Sequence, residues 1–206
     1  MWIKFIIEGR AAHGAYPQKG INAIDTAFAI KQKISEYLDT CCDPLLKYST
    51  CTASLISGGT KLNMVADHCE FGLDIRTIPK MDNNSVLAKI QAVCTSLEKK
   101  NAGLSISFVV LNNRPPVSID KNDPAVCLLS DIIKENLHAA PLCRGINFFS
   151  DASIFVKEYP LARCILFGPG RDDNAHVTDE YVEKNAYLNS ILCYSKLLTK
   201  YSLSAN

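Results

Sequence analysis

The sequence predicts an α+β unit followed by an incomplete α/β segment. Three observations carry that expectation. Residues 68–76 alternate with a period of two, two helical stripes alternate with β-rich runs before residue 112, and the remainder holds three helical patterns with one clear strand candidate.

Trp2 to Glu8 is a short β-rich run ending at Gly9, and Arg10 to Gly20 is a loop punctuated by Gly14, Pro17 and Gly20. Asn22 is placed to cap a helix in which Ile24, Ala27, Phe28, Ile30, Ile34, Tyr37 and Leu38 recur at helical spacing, stopping near Cys41 to Pro44. Cys51 to Ile56 is the next strand, closed by Ser57, Gly58 and Gly59. From His68 to Arg76, Cys69, Phe71, Leu73 and Ile75 share one face, while His68, Glu70, Gly72, Asp74 and Arg76 share the other, as a half-buried strand requires. Asn84 or Ser85 caps a helix through Val86, Ile90, Val93 and Leu97, and the turn Asn101 to Gly103 leads to Leu104, Ile106, Phe108 and Val110. The resulting βαββαβ order is the ferredoxin-like unit, an antiparallel four-stranded sheet with two helices on one face.

Asn112 to Pro116 breaks the composition and divides the chain into residues 1–112 and 113–206. Beyond it, Asp123 and Pro124 open a helix with Val126, Leu129, Ile132, Ile133 and Leu137 as its stripe. A short strand near Leu142 precedes Ser150 and Asp151, which are placed to cap a helix from Ala152 to Lys157. Cys164 to Phe167 reads as an apolar strand running into Gly168, Pro169 and Gly170, and Tyr181 to Tyr201 as a final helix. An α/β layer needs several adjacent strands, so the sequence predicts that residues upstream of Met1 supply the missing ones. The competing expectation is a compact α+β domain with one further strand.

The 22 basic and 21 acidic side chains leave a formal charge of +1, so no net field draws in nucleic acid or an anionic membrane. No run of about 18 apolar residues is present to span a bilayer. The nine cysteines contain no CxxC pair, and Met1 to Glu8 lacks the pattern of a signal peptide. Both point to a cytoplasmic chain with reduced thiols.

The four histidines differ in setting. His138 ends a helix and suits its dipole. His68 and Glu70 make an HxE pair with no PCxxC partner, which reads as a solvated strand face. His13 lies in an irregular loop of small residues, open to close approach by a ligand or to an ordinary backbone bond. His176 follows the Cys164 to Phe167 strand among Asp173, Asp179 and Glu180, where a metal or a cationic ring would be at home. Gly58 to Asn63 resembles an anion nest without P-loop spacing, and Arg76 is either a carboxylate clamp or a surface arginine.

Together the strings GRAAHGAYPQKGINAID, SLISGGTKLNMVAD, CEFGLDIRTIP, NFFSDASIF and ILFGPGRDDNAHVTDEYV resemble, in that order, the M20 family of zinc amidohydrolases and metallopeptidases. The branch they look like is that of acetylornithine deacetylase and succinyl-diaminopimelate desuccinylase. The resemblance implies a ferredoxin-like lid, residues 1–112, that pairs edge to edge in a homodimer. Residues 113–206 would then be the carboxyl-terminal part of an α/β zinc-hydrolase domain.

By the same resemblance His13 reaches the neighbouring subunit's site and donates to the developing oxyanion. Asn63 and Arg76 bind substrate, Ser150 and Gly168 line it, and His176 is a metal ligand. Phe149 stands before Ser150, a departure from the family's usual loop, and the family's HxD and Glu-Glu strings are absent. The implied function is a fragment of a hydrolase with two zinc ions, cleaving an N-acyl amide or peptide bond of an amino acid or short peptide and inactive as given. The alternative is a non-catalytic dimerisation or binding module that uses the exposed sheet edge.

Overall fold

The computed structural model describes residues 1–171, 174 and 177–204. The chain divides into two compact units, Met1–Pro116 and Val117–Asn206. In the first, β1 (Trp2–Glu8), α1 (Ala23–Leu38), β2 (Thr50–Gly58), β3 (His68–Arg76), α2 (Asn83–Lys100) and β4 (Ser105–Asn112) follow the expected order. The sheet runs β2-β3-β1-β4 with every neighbouring pair antiparallel.

Alternation on β1 and β3 sends Ile3, Phe5, Ile7, Cys69, Phe71, Leu73 and Ile75 to the face covered by the helices. Phe5 lies opposite Phe71 and Phe108 in register, and its ring stacks on Phe71 at 4.6 Å between centroids. From α1 come Ala23, Ala27, Ile30, Ile34 and Leu38, and from α2 Val86, Ile90, Val93 and Cys94. The opposite sheet face carries a cross-strand ion pair, Lys4 with Glu70, and a cross-strand hydrogen bond, His68 with Glu8, each at 2.9 Å.

Two details differ from the sequence expectation. Phe28 is not core: it stays 62% exposed, one position off the buried stripe that runs through Ala27. Helix α2 is capped by Asp82, whose carboxylate accepts from the Ser85 N–H at 3.0 Å, rather than by Asn84 or Ser85. Asn83 is thereby the first helical residue, and its amide is used elsewhere. For α1 the expected cap holds, with Asn22 Oδ1 accepting from Ile24 and Asp25.

The second unit contains α3 (Pro124–Leu137), α4 (Ala152–Glu158) and α5 (Lys184–Ser204). Asp123 caps α3 by accepting from Ala125 at 2.9 Å, and Val126, Leu129 and Ile132 are buried. On α5, Cys193 is buried. The strands expected near Leu142 and at Cys164 to Phe167 are not formed. All strands among the described residues lie in the first unit, and a strand persists only where a neighbour takes its backbone groups. The Phe167 carbonyl instead accepts from the Tyr194 hydroxyl, and their rings meet edge to face at 5.4 Å. Tyr159, Leu161, Leu166 and Leu198 are exposed, so this unit's apolar surface exceeds what its own helices cover. No helix among the described residues is long and apolar enough to cross a membrane.

Candidate functional site

The loop after β1 and the loop before β3 lock together. Gly14 N–H donates to the Asn63 carbonyl at 2.7 Å, Val65 N–H to Ala12 at 2.9 Å, and His13 and Met64 form an antiparallel bridge. The two loops approach closely at Gly14, where a Cβ would sit 3.0 Å from the Asn63 carbonyl oxygen and push the paired backbone by a few tenths of an ångström. The pairing brings His13 and Asn63 side by side at the end of the sheet marked by Glu8 and His68, and both are exposed.

The tautomer of His13 follows from one bond. Its Nδ1 accepts from the Ala15 N–H at 3.0 Å, so the neutral ring carries its proton on Nε2 and presents a donor. Tyr16 lies 6.1 Å from the imidazole between centroids, and the Lys19 ammonium sits 5.0 Å over the Tyr16 ring. The 3₁₀ turn Pro17–Lys19 places this lysine. Neither Tyr16 nor Lys19 was singled out in the sequence. Their signal was present as an aromatic and a cation three apart in the same loop.

Arg76 is not with them. It stands at the other end of β3, and a nine-residue strand separates its ends by about 26 Å. Its guanidinium is occupied by Asp74, with Nε at 2.8 Å from Oδ1 and Nη2 at 2.6 Å from Oδ2. Residues two apart on a strand share a face, which puts Asp74 within reach of this guanidinium. Within one chain, therefore, Arg76 and Asn63 do not converge on one carboxylate.

In the second unit the Ser150 carbonyl accepts from the Ser153 hydroxyl at 2.9 Å and from its N–H at 3.2 Å. Asp151 stands at the N-cap of α4 without a side-chain capping bond, so backbone and Ser153 close that turn where Ser150 and Asp151 were expected to. Among the described residues, a Cβ at Gly168 would meet nothing within 4 Å, so none of them demands a glycine there. His176 lies outside the described residues. Among the described residues no group of three histidine, cysteine or acidic side chains converges to hold a metal. The zinc implied by the resemblance thus finds no ligand set among the described residues.

The cysteines are all free. Burial pushes the Cys94 thiol up to about 11, with Glu98 nearby adding to the rise, and burial likewise raises Cys51 and Cys69. None of these is a nucleophile at neutral pH.

An open-edged four-stranded sheet with a histidine-bearing loop at one end is the class of module defined so far. Residues 1–102 match the family model described as "Peptidase dimerisation domain" of the M20 peptidases, and this part of the chain belongs to that family. The whole chain is a distant homologue of desuccinylases and deacetylases. It is 27% identical to the "Probable succinyl-diaminopimelate desuccinylase" of Staphylococcus aureus (strain MSSA476), over 98% of this chain and 55% of that protein. It is 26% identical to the acetylornithine deacetylase of Pasteurella multocida, over 85% of this chain and 45% of that protein. Among solved structures, a di-peptidase of Saccharomyces cerevisiae superposes on 100% of this chain and 55% of its own with a TM-score of 0.70 at 14% identity. The aminopeptidase PepT of Bacillus cereus covers 77% of this chain and 40% of its own, with a TM-score of 0.60 at 21% identity. At these identities the structural likeness is one of fold. The chain spans about half the length of the curated relatives it matches.

Proposed function

We propose that the chain is the dimerisation lid and carboxyl-terminal part of an M20-type hydrolase that cleaves an N-acyl amide or peptide bond of an amino acid or short peptide. The observation that carries this reading is the separation of His13 and Asn63 from Arg76 by the length of β3. Groups at opposite ends of a nine-residue strand, about 26 Å long, serve one small substrate only if they come from two copies of the lid. In that arrangement His13 and Asn63 are offered to a partner's substrate, while Arg76 remains with its own.

Strand β2 is the edge suited to join those copies. It carries no charged side chain, Leu55 and Ile56 are 74% and 55% exposed, and Phe28 is exposed on the neighbouring stripe of α1. That stripe continues one and two turns on to Lys31 and Ser35, which both act on the Cys51 thiol of β2. The opposite edge is guarded, because the outward Ile106 N–H of β4 is taken by the Glu98 carboxylate at 2.8 Å. Antiparallel pairing of β2 with the β2 of a second copy continues the sheet.

In the chemistry proposed, His13 uses its Nε2–H to hold the oxygen that gains charge as the amide carbonyl is attacked. Losing such a donor costs about 3 kcal/mol in the transition state. Zinc and the N-acyl amino acid substrate belong to this proposal through the resemblance, and the reducing cytoplasm through the cysteine pattern. His176 is the ligand assigned to the metal, and Ser150 and Gly168 are assigned to the substrate's surroundings. Assay of the chain with added zinc on N-acetyl and N-succinyl amino acids should give negligible turnover, and robust turnover would contradict the assignment of this chain as a partial site.

A module without chemistry is the second reading, favoured by the complete core of the first unit alone. His176→Ala separates the two. Weakened zinc binding after the amino-terminal half of a relative is supplied supports the hydrolase, and indifference supports the module.

A further inference from the structure

Asn83 is a polar residue buried at the start of α2, and its whole amide is engaged. Its Nδ2 donates to the Arg114 carbonyl at 2.9 Å and to Asn113 Oδ1 at 2.7 Å. A carbonyl can only accept, so this bond fixes which way the amide faces. Its Oδ1 is left to accept from the Thr77 hydroxyl at 2.7 Å. Three segments meet at this one side chain: the end of β3, the first turn of α2 six residues on, and the chain leaving β4 some thirty residues later.

The site is braced from beneath. The Ile78 N–H donates to the buried Ser49 hydroxyl at 3.2 Å, which ties the β3 to α2 turn to the start of β2. Beyond Arg114 come Pro115 and Pro116, whose rings fix φ and extend the backbone. The composition break at Asn112 to Pro116 reads as a linker in the sequence, yet the compact first unit runs to Pro116.

We infer that Asn83 is a clamp that makes residues 113–116 part of the rigid lid and moves the start of the flexible connector to Val117. Sequence signals for a linker, namely Asn, Arg and paired Pro, mark here a stiff exit arm. A buried, fully bonded amide holds such an arm because removing it leaves the Thr77 hydroxyl and the Arg114 carbonyl to find new partners. The clamp sets the direction in which the chain leaves the sheet without adding any apolar contact to the core.

The test is the backbone ¹⁵N order parameter of the full chain. In the unaltered protein Asn113 and Arg114 should match β4 at about 0.85, with the fall beginning at Val117 or Ser118. Asn83→Ala should drop Asn113 and Arg114 below about 0.6 while β1 and β3 keep their values. Asn113→Ala removes one bond from the exposed side, keeps the buried amide, and should lower Arg114 by a smaller amount, so the clamp stays testable if the Asn83 variant does not fold. Order parameters at 113–114 equal to those at Ser118 in the unaltered chain, or unchanged in both variants, would overturn the inference. A parallel fall across the whole unit in Asn113→Ala would also overturn it.

Discussion

Cys94 and Cys42 show how far burial separates chemically equal side chains. Cys94 is enclosed between α2 and the sheet with its thiol raised to about 11, while Cys42 is exposed. At pH 8 iodoacetamide should label Cys42 and leave Cys94 untouched until denaturant is added; equal labelling in the native protein would refute that environment. Asp43 gives a residue-scale pH dependence. Its carboxylate accepts from the N–H groups of Leu46 and Leu45, which holds it below the ordinary aspartate value, with Lys80 and Lys47 adding to the effect. A carboxyl lowered in the folded state contributes stability that is present above its unfolded value, near pH 4, and lost as pH falls through the folded one. Asp43→Asn keeps an acceptor but cannot titrate, so the acid limb of the urea midpoint should flatten between pH 5 and pH 2 in roughly that window. An unchanged limb would assign acid sensitivity to other carboxylates. At this scale the sequence was legible wherever one side chain faces one environment, as at Asn22 or Asp123. It was misleading where a partner on the same face claims the group first, as Asp74 does with Arg76.

Elements were legible in proportion to their periodicity. Strand β3 was readable to its ends because nine residues alternate without exception, whereas Cys164 to Phe167 shares its apolar character but lacks a paired neighbour. Pairing is a property of two segments, and no single run can reveal it. The same limit hid the role of Phe28, which fits the helical spacing of a core residue but falls on the β2 side of α1, where the sheet ends. Loss of the α1 cap in Asn22→Ala should cost about 1 kcal/mol, seen as a lower denaturant midpoint with an unchanged slope. Ile56→Lys acts differently. It should leave the monomer folded, since the side chain is already half in solvent, but remove about 2 kcal/mol from self-association and so weaken it roughly 30-fold. Retention of full affinity in a sedimentation dilution series would place the interface away from β2.

For the whole molecule, the two units differ in self-sufficiency. The first has one continuous core from Met1 to Leu104, while the second leaves large apolar side chains uncovered on α4, at Ile154 and Phe155, and on α5, at Leu188 and Ile191. That contrast was legible in the sequence as three helices short of strands. The placement of Arg76 far from His13 and Asn63 was not, because distance along a sheet appears only once the strands are paired. It is this separation that makes association of two chains the central claim. Sedimentation equilibrium at micromolar concentration tests it most directly. The account predicts a species of twice the 22.7 kDa chain mass that falls to the single mass in Ile56→Lys. A monomer at every concentration, or a dimer indifferent to that substitution, would contradict it.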